Sequence, residues 1–253
     1  MGKTILILPD SHTVPGHNNR RFDWFGKLIL DIRPDIVVDI GDFFDMPSLS
    51  SYESASKKVL DGRSYAKDIA AGIDAQERIK HPLRISKRKL PRFIRCLGNH
   101  ENRITKALLA DPMLMGTVGL EDLESDYFGW EEYSFLDRVT IENIQFTHYF
   151  PSGIMGRPIS GENVAKQLIH KNMCSCVQGH SHLLDFATRA SVSGGKTLGL
   201  VVGCYVEETL AWADPVSYLW NPGICILSNV SHGSGDFAHI SLKSLRDTYE
   251  ETQ

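Results

Sequence analysis

The sequence predicts an α/β protein, with a parallel sheet in its first half and antiparallel strands in its second. Three observations predict it. Short apolar runs at Lys3 to Leu8, Asp35 to Ile40 and Phe93 to Leu97 read as strands buried on both faces. Between the first two, Phe22, Phe25, Leu28, Ile29 and Ile32 recur at three- and four-residue spacing. That is a helix over Asn18 to Ile32 stopped by Pro34, and the βαβ unit calls for a right-handed crossover. Late in the chain, Phe186 to Val192, Thr197 to Val206, Ile224 to Leu227 and Phe237 to Leu242 read as strands, the first two joined at a Gly194-Gly195 turn.

The remaining segments follow in order. Residues 46–91 break the rhythm. They start serine-rich, form a helix over Tyr65 to Ile79, and end in a basic stretch, 80–95, with Lys80, Arg84, Lys87, Arg88, Lys89, Arg92 and Arg95. This block reads as an inserted cap or rim. A second rim segment is expected over 102–135, helical up to about Leu109 and interrupted at Asp111-Pro112. Arg138 to Ile141 and Ile144 to Thr147 predict a hairpin turning at Glu142-Asn143. Glu162 to Lys171 predicts a short helix, Cys174 to Val177 another strand, and the tail after Leu242 a short helix or a frayed end.

With 253 residues the chain can bury a full core, and one domain over 1–253 is the simplest count. A net charge of −4 argues against a surface that grips nucleic acid everywhere, while leaving room for a local basic groove. No apolar run approaches a membrane span, and the N-terminus lacks the regions of a secretory signal, so no membrane partner and a cytoplasmic location are expected. Five cysteines without a framework fit reduced thiols. Cys174 and Cys176, one residue apart, read as small buried strand residues rather than metal ligands.

The chemistry sits where the strands end. Asp10-Ser11-His12 follows the first, Gly41-Asp42 the second, Gly98-Asn99-His100-Glu101 the third, His148 the hairpin's second arm, and Gly179-His180-Ser181-His182 the strand at Cys174. Ligands of open α/β sheets bind beyond the carboxyl ends of strands, so five loops are expected to converge. Any one of these stretches alone reads as a turn or a cap; their joint occurrence in order points to a site. Asp10, His12, Asp42, Asn99, His148, His180 and His182 offer more N and O ligands than one tetrahedral zinc needs. They suit two divalent ions sharing one carboxylate. The imidazole–carboxylate mixture favours Mn, Fe, Zn or Ni over calcium.

The order Asp-x-His, Gly-Asp-x-x-Asp, Gly-Asn-His-Glu, His, Gly-His-x-His resembles the calcineurin-like metallophosphoesterase family, over about two-thirds of the chain. The resemblance implies a four-layer fold, two mixed β-sheets packed as a sandwich and flanked by helices. It implies that Asp10, His12, Asp42 and His182 hold one metal, that Asp42, Asn99, His148 and His180 hold the other, with manganese first among the candidates, and that His100 acts as an acid near the leaving group. The fourth block lacks the family's usual glycine beside its histidine. His148 is preferred there because a strand precedes it, and His170, inside a predicted helix, is the alternative. Asp45, Glu101 and Asp185 are read first as loop caps, with the orientation of a histidine as the second reading.

The implied activity is hydrolysis of a phosphate ester by attack of a metal-bridging hydroxide. A phosphodiesterase acting on a nucleotide or nucleic acid is the first expectation. A phosphomonoesterase, either a nucleotidase or a protein phosphatase, is the alternative, and a non-catalytic scaffold comes last. Phe43-Phe44 stands where a phosphatase would carry an arginine, leaving Arg103 as the nearby candidate for binding phosphate. Tyr149, with Phe150, Trp212 and Trp220, could stack on a base or pack in the core. The basic stretch is read as a solvated face first and as a grip on a phosphate backbone second.

Overall fold

The structure is a computed structural model that describes residues 2–52, 55–190, 192, 194–208 and 217–250; Trp212 lies outside the described residues. The N-terminal half contains β1 (Lys3–Leu8), α1 (Arg21–Ile32), β2 (Ile36–Asp39), α2 (Ala55–Leu60), α3 (Tyr65–Ser86), β3 (Arg92–Cys96) and α4 (Asn102–Ala110). Then come β4 (Glu131–Tyr133), β5 (Val139–Ile141), β6 (Ile144–Phe146), β7 (Pro151–Ser152), β8 (Arg157–Pro158) and α5 (Val164–Asn172). The chain finishes with β9 (Ser175–Gln178), β10 (Leu184–Ala190), β11 (Lys196–Val202), β12 (Gly223–Ser231), β13 (Ser234–Ser241) and α6 (Leu242–Tyr249).

Among the described residues one sheet runs β13-β12-β1-β2-β3-β4 and a second runs β10-β11-β9-β6-β5. Strands β1 to β4 are parallel to their neighbours, and β12 returns antiparallel to β1. In the second sheet β9 is parallel to both β6 and β11, so this half is mixed rather than purely antiparallel.

Side-chain alternation builds the layers. Ile5, Ile7, Ile36, Val38, Ile94 and Cys96 face the second sheet and meet Ile144, Phe146, Val177, Leu200 and Val202 there. Leu6, Leu8, Val37 and Phe93 face the other way, against Phe22, Phe25, Leu28 and Ile29 of α1 and Ala75, Ile79 and Leu83 of α3. The far face of the second sheet is closed by Val164 and Leu168 of α5 over Cys176 and Val201. The result is helix, sheet, sheet, helix, the four-layer sandwich that the resemblance implied. Each buried aliphatic side chain contributes on the order of 2 kcal/mol.

Three segments differ from the sequence reading. α3 is not a cap: it continues through Pro82 to Ser86 and packs along α1 in the helical layer. The two helices approach closely at Gly26, where a Cβ would meet the Ile79 carbonyl and the Pro82 ring. The 102–135 segment ends as an edge strand, β4, whose charged Glu131 pairs with Arg92 at 2.6 Å. An edge strand needs only one neighbour, so its sequence carries little apolar signal. α1 begins at Arg21 because the Asn18 side chain accepts the Arg20 N–H and holds the preceding residues in a turn.

Arg88 to Arg92 of the basic stretch lies at the amino ends of β2 and β3, whereas Arg95 sits near the carboxyl end of β3. Arg95 and Lys80 are buried, Arg84 pairs with Glu77, and Arg88 and Lys89 line a shallow cleft with Asp35. Lys80 sits against the faces of Phe93 and Trp130, with Nζ 2.9 and 4.7 Å from the ring centres. Burial, helped by the charges of Arg95 and Arg84, brings its ammonium down to about 6.

The unfolded chain therefore binds a proton at Lys80 that the folded chain lacks between pH 6 and 10.5, and stability should rise with pH across that window. Lys80→Met should be more stable than the parent at pH 7, by up to about 5 kcal/mol, with the gap closing as pH approaches 10.5. Urea denaturation at several pH values measures it. A gap that ignores pH contradicts the assignment.

Candidate metal centre

Five loops meet at the carboxyl ends of β1, β2, β3, β6 and β9. The backbone stitches them together before any side chain is considered. The Ser11 and His12 N–H groups both donate to the Asp42 carbonyl, at 3.1 and 2.8 Å. The His180 N–H donates to Asp10 Oδ2 at 2.8 Å, and the His100 N–H to Asp42 Oδ1 at 2.9 Å. The Glu101 carboxylate accepts from Asp42, Phe44 and Gly98 N–H groups at 3.1, 2.7 and 2.8 Å, fixing the turn that carries Asp42.

Glycine is required where two carboxylates press on the chain. A Cβ on Gly98 would collide with the Asp42 side chain, and one on Gly179 with that of Asp10. Four motif residues adopt left-handed backbone: His12 at φ 45°, Asp42 at 54°, His180 at 69° and His182 at 59°. Such strain clusters at functional sites.

All seven candidate ligands come together. His182 Nε2 lies 3.3 Å from Asp10 Oδ2 and 3.0 Å from His12 Nε2. Asp42 Oδ2 lies 3.3 Å from His148 Nε2 and 4.0 Å from His12 Nε2. Asn99 Oδ1 lies 3.0 Å from His148 Nε2 and 2.8 Å from His180 Nδ1. The donor atoms form overlapping groups, Asp10–His12–His182 and Asp42–His148–His180, with His12, Asp42 and His100 between them. His148 is fully buried in this cluster, whereas His170 is exposed on α5.

The donor set fits divalent cations. Ring nitrogens converge on carboxylate oxygens, and buried Asp10 Oδ1 has no hydrogen-bond partner among the described residues. These buried groups could hold metal ions. Burial pushes the Asp42 carboxyl up, but the imidazoles of His148, His100 and His12 hold it well below the usual carboxylate range. Burial likewise opposes ionisation of Asp10, yet His182 and His148 bring it below its ordinary value. Burial would lower His148, and Asp42 overrides that and lifts it to about 9. His180, buried beside His148, falls to about 4, and burial lowers His12. Glu101 is pushed up to about 7 by burial and by Asp42.

The groups around the ligands are more extensive than the sequence suggested. Asp45 Oδ1 lies 2.8 Å from His12 Nδ1 and 2.9 Å from His100 Nδ1, so one carboxylate sets the orientation of two rings. His100 Nε2 lies 3.7 Å from Asp42 Oδ2 and 3.3 Å from Arg103 Nη2. Arg103 Nη1 donates to the carbonyls of Asp45 and Met46 at 2.7 and 3.2 Å. Asp185 accepts the Ala165 N–H at the start of α5 and has a helix-capping role. Tyr149 packs beside the His180 ring and Trp220 beside that of His182, while Phe150 is core under α5.

Two supports were missed altogether. Arg21 is buried and directs Nε and Nη2 to the carbonyls of Tyr205 and Ser11, at 2.9 Å each, bracing the Asp10–His12 loop from behind. Arg95 pairs with Asp39 at 2.7 Å inside the sheet, and Asp39 also accepts the Gly41 N–H at 3.1 Å. An arginine within an apolar strand run, opposite an aspartate ending the neighbouring strand, was the available signal for the second.

No protein-family model and no curated protein matches the sequence. Among solved structures the chain is similar to one described as a novel archaeal phosphodiesterase, with 15% identity, 94% of this chain and 98% of that chain covered, and a TM-score of 0.43. It is also similar to YfcE, a phosphoesterase from E. coli, with 12% identity, 94% and 99% covered, and a TM-score of 0.40. The four layers and the convergence of the motif residues at the strand ends agree with the calcineurin-like metallophosphoesterase resemblance of the sequence.

Asp45→Asn removes the charge that holds His12 and His100 while keeping the shape of the side chain. Divalent-metal affinity, read by calorimetric titration, should fall about 10- to 100-fold with little change in secondary structure. Unchanged affinity would mean that the two rings hold their orientation without it.

Proposed function

We propose that this chain is a phosphoesterase that uses two divalent metal ions to hydrolyse a phosphodiester of nucleotide type. The observation that carries the reading is the position of Asp42, whose carboxylate stands between the Asp10–His12–His182 group and the His148–His180 group. Asp10, His12, Asp42 and His182 would hold one ion, and Asp42, Asn99, His148 and His180 the other. Manganese is the first choice for these N and O donors, with iron, zinc or nickel as alternatives. When bound, such a pair supplies a water of lowered pKa and positive charge for the phosphoryl oxygens.

The chain's own groups divide the remaining work. Asp45 takes the Nδ1 side of His100, which leaves Nε2 to carry the proton that goes to the leaving oxygen. The closed packing around Asp10 and His148 keeps water away from the inner side of the site, so substrate is met from the side of Asn99, His100 and His180. Arg103 spends Nη1 on two backbone carbonyls, which weakens its claim as the clamp for a phosphomonoester dianion and favours the diester reading. Retention of every motif donor argues against a non-catalytic scaffold.

With manganese supplied, bis(p-nitrophenyl) phosphate should turn over faster than p-nitrophenyl phosphate. The reverse ratio would favour a monoesterase, and inertness towards both would leave the scaffold. His100→Ala should lose about 10²- to 10⁴-fold in kcat on the diester while its metal content, measured by mass spectrometry, stays at the parent level. Loss of metal together with activity would make His100 a ligand.

A further inference from the structure

A cleft of about 560 Å³ opens from the metal centre, within the range of ligand sites. Its inner end is Asn99 and His180, both candidate ligands. From there it follows one face of α4. Arg103, Lys106, Ala107 and Ala110 fall at the spacing that puts them on one stripe, covering about 10 Å of helix. The two alanines leave a smooth floor, and the two cations stand along it. Lys58 lines the opposite side, its Nζ donating to the Ser50 carbonyl at 2.9 Å. Tyr149, next to the His180 ring at 4.8 Å, forms the wall nearest the metals. Among the described lining residues there is no carboxylate.

Cations repeated along a groove match negative charge repeated along a ligand. A single phosphate at the metals would not reach Lys106 and Lys58, and a phosphopeptide carries one phosphate rather than a row. A flat aromatic wall beside the reacting position suits a base. We propose that this cleft is a subsite for the next phosphates of a single-stranded oligonucleotide, which runs outward from the metal centre along α4 with a base against Tyr149. The inference rests on the phosphoesterase reading for the chemistry, while the binding it describes is separable from it. The cations involved are not those of the 80–95 stretch, whose exposed Arg88 and Lys89 lie at the other end of the sheet.

Binding of a fluorescently labelled five-residue phosphorothioate oligothymidylate, followed by anisotropy from 50 to 300 mM salt, tests it without cleavage. Three phosphate contacts on a single strand give a slope of log affinity against log salt of about −2. The double variant Lys58→Gln with Lys106→Gln should bring the slope to about −0.7, and Tyr149→Ala should weaken binding about tenfold. The control double variant Arg88→Gln with Lys89→Gln should leave the slope unchanged. Salt-independent binding, or an equal change in the control, overturns the subsite, as does a phosphoserine peptide that binds as tightly with the same slope. Bis(p-nitrophenyl) phosphate turnover is read in parallel. Turnover without oligonucleotide binding overturns the subsite and leaves the phosphoesterase standing. Binding with the expected slope but no turnover supports the groove and removes the enzyme reading.

Discussion

The carboxylate of Asp42 is the constraint on which the centre depends. Its backbone is left-handed, its Oδ1 is taken by the His100 N–H, and its Oδ2 is left facing imidazole nitrogens from three other loops. A carboxylate can be held this way only if the chain beside it gives room and the turn beneath it cannot relax. Gly98 gives the room, and the Glu101 carboxylate locks the turn by gathering three N–H groups. The geometry of the sheet then does the rest, since parallel β1, β2 and β3 deliver Asp10, Asp42 and Asn99 side by side.

The surroundings show the same economy of charge. Asp10, Asp42 and Asp45 are all buried, and each has at least one histidine nitrogen close by. Behind them Asp39 is matched by Arg95, and Arg21 is spent on carbonyls. Uncompensated burial of this many charges would be prohibitive. Left-handed backbone at four motif residues adds strain of on the order of 1–3 kcal/mol each, which a packed four-layer core can carry. Stability is thus drawn from the three apolar interfaces between the layers, and the strand ends are free to serve chemistry.

Much of this was legible in the amino-acid order. The continuous apolar run of β1 and the spacing in α1 reflect burial, which the order of residues records directly, and the strand-end motifs sit at the ends of those strands. The Glu142-Asn143 hairpin was readable because two successive residues had to adopt positive φ, and they do, at 48° and 64°. What was not legible depends on partners distant in the chain. α3 passes Pro82 because Gly26 of α1 receives it, and β4 exists because β3 is beside it. The cations at 80–95 read as a solvated face first and a polyanion grip second; in the fold Arg95, Arg84 and Arg92 answer to Asp39, Glu77 and Glu131, and Lys80 packs on aromatics. Lys58 is distant in sequence from Arg103 and Lys106 of α4, and the three line one cleft only in the folded chain. Asp45 looked like a cap because nothing local announces that His12 and His100 will both turn towards it.

The central claim is a pair of cations sharing one carboxylate, and electron paramagnetic resonance of the protein saturated with Mn²⁺ reads it most directly. The account predicts the broad multiline spectrum of a spin-coupled pair in the parent protein, lost when Asp42 is changed to Asn. A simple six-line spectrum of isolated Mn²⁺ at saturation in the parent protein would contradict it.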